Sequence, residues 1–156
     1  MRRIVALAWL CLSVAVLPAQ AQLIDKKALS LAEARKAVSA AMVEAKKNSW
    51  SMVIAVVDDA GYPIVIERMD NAQRPSVQIA TGKARTAALF RRPSGRLEEA
   101  IAQGRTAFLS VDGYVFLQGG LPIEYNGVVI GAIGVSGATS EQDEQVAAAG
   151  VAAIGK

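Results

Sequence analysis

The chain has 156 residues, is 53% hydrophobic, and carries 17 Lys+Arg against 14 Asp+Glu, with one cysteine and no histidine. Without histidine the ordinary zinc sites and the commonest general base are excluded. The formal charge of +3 overstates the basicity, because two of the arginines stand in an N-terminal leader pattern.

That pattern comes first. Arg2 and Arg3 precede an apolar run from Ile4 to Leu17, Pro18 breaks it, and Ala19-Gln20-Ala21 supplies a small-x-small cleavage pattern. These features predict a signal peptide over residues 1–21 and a periplasmic or secreted protein. The run is shorter than the ~20 residues that span a bilayer, so no membrane span is expected in the mature form. The remaining residues, 22–156, hold 15 Lys+Arg and 14 Asp+Glu and lack cysteine. Disulfides, thiolate nucleophiles and iron–sulfur ligation are thereby excluded. A balanced charge also argues against a nucleic-acid partner, since phosphate contacts need concentrated positive charge. The length suits one domain.

Ser30 and Glu33 form a capping-box pattern, and Leu31, Ala34, Val38, Ala41 and Ala45 follow at helical spacing, which predicts a first helix ending near Asn48. Met52 to Val57 is an apolar, β-branched run. Asp58-Asp59-Ala60-Gly61 reads as a turn into a second strand from Tyr62 to Met69, an antiparallel hairpin whose aspartates serve the turn. Pro63 places the start of that second strand at a sheet edge or outside the pairing.

Pro75 opens a long Ala-rich helix over Ser76 to Phe90. Val77, Ala80, Ala84 and Ala87 form its inner stripe, with Lys83, Thr86 and Phe90 on a neighbouring face and Arg85 off it. Arg91-Arg92-Pro93 ends it with positive charge near the carbonyl end. Ser94 to Gln103 predicts a shorter helix closed by Gly104. Residues 106–120 lack a clear period, and Tyr114 to Leu117 is a weak strand candidate. Leu121 to Tyr125 and Val128 to Val135 form a hairpin across Asn126-Gly127, and Pro122 again marks an edge. The last helix runs from Glu141 to about Ile154, with Ser140 as N-cap and Asp143 in the capping-box position.

Gly131 and Gly134 fall within the predicted strand, not after it. No third spaced glycine and no Gly-Lys-Ser/Thr accompanies them, so phosphate-loop readings are disfavoured. Alternation puts Val129, Gly131, Ile133 and Val135 on one face and Val128, Ile130, Ala132 and Gly134 on the other. Both faces read as covered, with glycines leaving room for a helix, a subunit or a ligand.

Four segments carry a resemblance. Lys83-Ala84-Arg85-Thr86-Ala87, Gly119-Gly120-Leu121-Pro122-Ile123, the run from Asn126 to Gly137, and Glu141-Gln142-Asp143-Glu144 are similar to motifs of the GlcG/HbpS-like heme-binding family, which includes the C-terminal domain of PduO. The resemblance spans about residues 28–154. It implies a profilin-like α+β fold with a mainly antiparallel sheet flanked by helices, homo-oligomers, and heme as a ligand of some members. An exported member is a heme sensor or store, and a heme-degrading activity is attached to the group by name. One branch uses histidine, so a heme held here would need another ligand, the nominal candidates being Met52, Met69, Tyr62, Tyr114 and Tyr125. Lys83, Arg85 and Thr86 match the family's helix motif, and Gly120, Ser136, Gly137 and Asp143 match its C-terminal motifs. A pocket between these segments, or between subunits, is implied.

Three functions fit these residues. The first is an exported small-ligand protein that holds heme or a smaller organic anion. The second is a cofactor-independent lyase, isomerase or hydrolase acting on a small organic carboxylate. There Lys83 or Arg85 orients the substrate and Asp143 or Glu124 acts as acid or base. The third is a structural or assembly protein.

Overall fold

A computed structural model describes residues 23–154; the leader predicted over residues 1–21 lies outside them. Helix α1 (Leu31–Lys47) starts where the Ser30 hydroxyl accepts the backbone N–H of Glu33. Its Ala34, Ala37, Val38, Ala41 and Ala45 are buried, and Asn48 closes its end. Strands β1 (Val53–Asp58) and β2 (Pro63–Arg68) pair antiparallel. Asp58 Oδ1 makes the turn between them, accepting the N–H groups of Ala60 at 3.0 Å and Tyr62 at 2.8 Å.

Helix α2 (Ser76–Phe90) has the predicted bounds, and its chain reverses at Arg91, which takes a left-handed φ of 53°. Helix α3 (Ser94–Ala102) and a 3-10 turn (Thr106–Ser110) follow. Strands β3 (Gly120–Tyr125) and β4 (Val128–Ser136) form the second hairpin. Asn126 and Gly127 there take φ of 50° and 75°, the pair of left-handed residues that a two-residue hairpin turn demands. Helix α4 (Ser140–Ala152) ends the described fold.

The four strands lie in the order β2-β1-β4-β3, all antiparallel. Pro63 and Pro122 both sit on edge strands, where a missing N–H costs no central ladder bond. The expected strand over Tyr114 to Leu117 does not form. Its backbone is diverted instead: Val115 N–H goes to the Thr86 hydroxyl, and Tyr114 and Phe116 pack edge-on against Phe90.

Helices α1 and α4 cover one face of the sheet over Met52, Ile54, Val56, Ile123, Ile133 and Val135. Helix α2 covers the other, over Val53, Ala55, Val57 and Ala132. The alternation expected along β4 holds from Gly131 onward and fails at Ile130, which is buried among the α1/α4 core. A register shift there sets Ile123 opposite Gly131 and Glu124 opposite Val129, leaving Ile130 as the extra residue of a β-bulge. Among the described residues no helix is long and apolar enough to cross a membrane.

Candidate functional site

Close packing of α2 on the sheet creates the site. Gly134 has no side chain, and a Cβ there would meet the backbone of Ala80 and Ala84. The helix therefore lies directly on the strand, and Lys83 reaches past it with only 2% of its surface exposed. Lys83 Nζ donates to Val135 O at 3.0 Å and to Asp143 Oδ2 at 2.7 Å. Because α2 and α4 cover opposite faces, this ion pair joins the two helical layers near the start of β3.

Gly119 and Gly120 make room for it. A Cβ on Gly119, whose φ is +115°, would lie 2.8 Å from Asp143 Cβ and 3.1 Å from Lys83 Nζ, and one on Gly120 would strike the Lys83 carbonyl. The Gly120 N–H donates to the Ser94 hydroxyl at 2.9 Å, which in turn donates to Leu117 O at 2.6 Å. Asp143 Oδ1 accepts the Ala138 N–H at 3.1 Å. Burial raises the Asp143 carboxyl above its ordinary value, and the Lys83 ammonium and the N–H groups of Ala138 and Gly137 oppose that rise.

The predicted cap of α4 needs correction. Thr139, not Ser140, is the N-cap, and it forms a reciprocal capping box with Gln142 instead of Asp143. The overlapping frames Thr139–Gln142 and Ser140–Asp143 are both plausible locally. Asp143 is taken by Lys83, sixty positions away, so only the first frame is free to cap.

A cleft of about 210 Å³ opens above the ion pair, lined by Ser76, Lys83, Leu117, Ser136, Ser140 and Asp143 among others. Lys83, Ser136, Gly137 and Asp143 therefore converge, with Gly120 behind them. Thr86 is buried one turn along α2, where its hydroxyl donates to Gly82 O and accepts from Val115 N. Arg85 points elsewhere: it is exposed, and its stem lies over Gly61 in the β1–β2 turn. Glu124 is exposed on β3 and borders a different groove, with Pro122, Ala148 and Val151. Ser76, legible in the sequence only as the first residue of α2, also lines the cleft. A serine opening a helix after proline looks like an ordinary first-turn residue, and only its partner Ser136 marks it, with Ser136 Oγ 3.2 Å from Ser76 Oγ.

The nominal heme ligands fall in separate places. Met52 is fully buried in the core, and Met69 Sδ accepts its backbone N–H. Tyr62 is an exposed residue beside the β1–β2 turn, and Tyr114 belongs to the aromatic cluster around Phe90. Tyr125, 37% exposed at the end of β3, borders two adjoining cavities. One, of about 330 Å³, is walled by Leu29, Ile130 and Ile154; the other, of about 480 Å³, by Ile24 and Val128. Lys27 lines both.

Comparison with known proteins bears on the fold and the family. Protein GlcG of Escherichia coli K12 is 44% identical over 111 residues, 71% of this chain and 83% of GlcG. The corrinoid adenosyltransferase PduO of Citrobacter freundii is 30% identical over 81% of this chain, which spans 39% of PduO. Among solved structures, a double mutant of Streptomyces reticuli HbpS superposes with a TM-score of 0.81 at 35% identity, covering 92% of this chain and all of that one. A complex of PduOC with heme gives a TM-score of 0.74 at 29% identity, covering 82% and 96%. The family model described as "Haem degrading protein HbpS-like" matches residues 29–152, which take in every helix and strand described above. The chain belongs to the HbpS-like family.

Proposed function

We propose that this chain is an exported heme-handling protein that binds heme non-covalently in the groove around Tyr125. The observation that carries the reading is the likeness to the solved PduOC–heme complex over most of this chain. Export rests on the leader pattern of residues 1–21.

Heme asks for apolar walls, cationic groups near its propionates and an axial donor. Of the five nominal ligands, Tyr125 is the one that borders a groove meeting these needs. Leu29, Ile130 and Ile154 supply the walls, Lys27 a cation that shares the groove with the Glu33 carboxylate, and Tyr125 a phenol as donor. Phenolate oxygen is an established axial ligand of heme iron. Both cavities at Tyr125 lie in the ~300–1,000 Å³ range of small-molecule pockets, whereas the Lys83 cleft falls below it. Bound heme would supply the redox-active iron. The chain would hold it, anchor its carboxylates and set how much water reaches it.

Hemin titration of the purified protein tests this. The expected result is a saturable Soret shift that loses its phenolate signature in Tyr125→Phe and weakens in Lys27→Ala. A flat titration, or a Tyr125→Phe spectrum identical to the wild type, would refute the assignment.

A further inference from the structure

The groove at Tyr125 leaves the Lys83 cleft unexplained, and that cleft has an imbalance of hydrogen-bonding groups. An ammonium carries three donors, and Lys83 spends two, on Val135 O and Asp143 Oδ2. Ser76 and Ser136 are 2% and 6% exposed, and their hydroxyls bond to each other. Two hydroxyls bring two protons, and one bond between them uses one. Among the described residues no acceptor takes the other. On the acceptor side, both Asp143 oxygens are engaged, by Lys83 and by the Ala138 N–H. The floor of the cleft therefore presents spare donors, while Gln73 and Ser140 at its rim can both donate and accept. Spare donors at the floor of an open cleft favour a ligand that supplies oxygen lone pairs.

Charge narrows the class. Lys83 and Asp143 cancel, while the N-terminal end of α4 opens on the cleft at Ser140 with its positive dipole end. A single negative charge is favoured. A dianionic phosphate would lie beside Asp143 without a second cation, because Lys83 alone among the described lining residues is positive and Arg85 is directed elsewhere. The volume of about 210 Å³ admits only a small molecule.

We infer that this cleft is a second ligand site that binds a small organic monocarboxylate. The third N–H of Lys83 and the free proton of the Ser76–Ser136 pair hold the carboxylate oxygens. The site is independent of heme at Tyr125, so failure of either reading leaves the other standing.

The test is amide NMR of the folded protein titrated at constant ionic strength with sodium acetate, acetamide and sodium phosphate in turn. Acetate should give saturable shifts confined to Val135–Glu141 and the start of α2, leaving Tyr125 unmoved, with acetamide and phosphate at least about tenfold weaker. The double variant S76A/S136A retains the ion pair and should bind acetate about tenfold more weakly, the scale of one hydrogen bond. Absence of saturable acetate shifts would overturn the proposal, as would equal binding of acetamide or phosphate. So would unchanged acetate affinity in the folded double variant. The ligand comparison needs no variant, so the proposal stays testable should S76A/S136A fail to fold.

Discussion

The two faces of the sheet are built on opposite rules. Under α1 and α4 the strands present branched aliphatics, Ile54, Val56, Ile133 and Val135, which interlock with Val38 and Val146. Under α2 the centre of the face is Ala55, Ala132 and Gly134 against Ala80, Ala84 and Ala87, with Val53 and Val57 as its branched residues. The first face buries large apolar side chains and so supplies most of the hydrophobic stabilisation. The second relies on smaller side chains around Gly134, which brings a helix axis close to a strand. That closeness lets a lysine on α2 reach a strand carbonyl and a carboxylate on α4. Stability is concentrated on one face, and chemistry is positioned on the other.

The largest effect should come from breaking the link between the faces. Lys83→Met leaves Asp143 buried without its cation, and removing one partner of a buried pair typically costs about 3–5 kcal/mol. Replacing both in K83M/D143L should recover much of that loss, because no unpaired charge remains. Urea unfolding of the single and double variants measures this. A double variant as unstable as the sum of its parts would show that the pair's positions matter through packing alone.

Neighbouring residues of β4 separate the two packing rules. Ile133→Ala removes side chain from the aliphatic face and should cost about 3 kcal/mol through lost burial and a cavity. Gly134→Ala adds one methyl to the other face and should cost about 2–3 kcal/mol, since its Cβ would meet Ala80 O and lie 2.5 Å from Ala84 N. Those obstacles are backbone, so trimming Ala84 to glycine should not restore stability. Rescue of Gly134→Ala by Ala84→Gly in thermal melts would mean that side-chain crowding, and not helix approach, dictates the glycine.

Most of the architecture was legible because local patterns decide it. Ser30 caps α1 by accepting the Glu33 N–H, without the return bond of a full capping box, Asn126-Gly127 makes the left-handed turn it favours, and the prolines mark both edge strands. What escaped the sequence was decided over distance. Asp143 sits in a good capping frame yet serves Lys83, and a bulge at Ile130 turns that side chain to the other face. Tyr114 to Leu117 has strand-forming residues but its backbone is bonded by Thr86. Lys83 and Arg85 belong to one motif, but two helical positions separate them by about 200° around the axis, so one enters the cleft and the other covers a turn. Convergence of Lys83 with Ser76, Ser136 and Asp143 depends on how closely α2 approaches the sheet, which no spacing along the chain specifies.

The smallest expected effect concerns the polar links that tie α4 to its neighbours. Asp143 links α4 to α2 inside the protein, whereas Glu44 accepts the Gln145 amide at 2.6 Å and links α4 to α1 at the surface. Burial lifts Asp143 above its ordinary 3.8, while hydrogen bonds from Gln145 and then Asn48 hold Glu44 below its ordinary 4.5. The signs for stability are opposite. Folded Asp143 keeps its proton more tightly than the unfolded chain does. Its contribution is therefore full below the ordinary carboxylate value and declines as pH rises through the folded one. Glu44 contributes above its ordinary value and loses that contribution as pH falls. Carboxyl-carbon NMR titration should find Asp143 titrating above 3.8 and Glu44 below 4.5. An Asp143 that titrates low would mean that Lys83 outweighs burial, and the cleft would then hold an ion pair more strongly polarised than its desolvation implies.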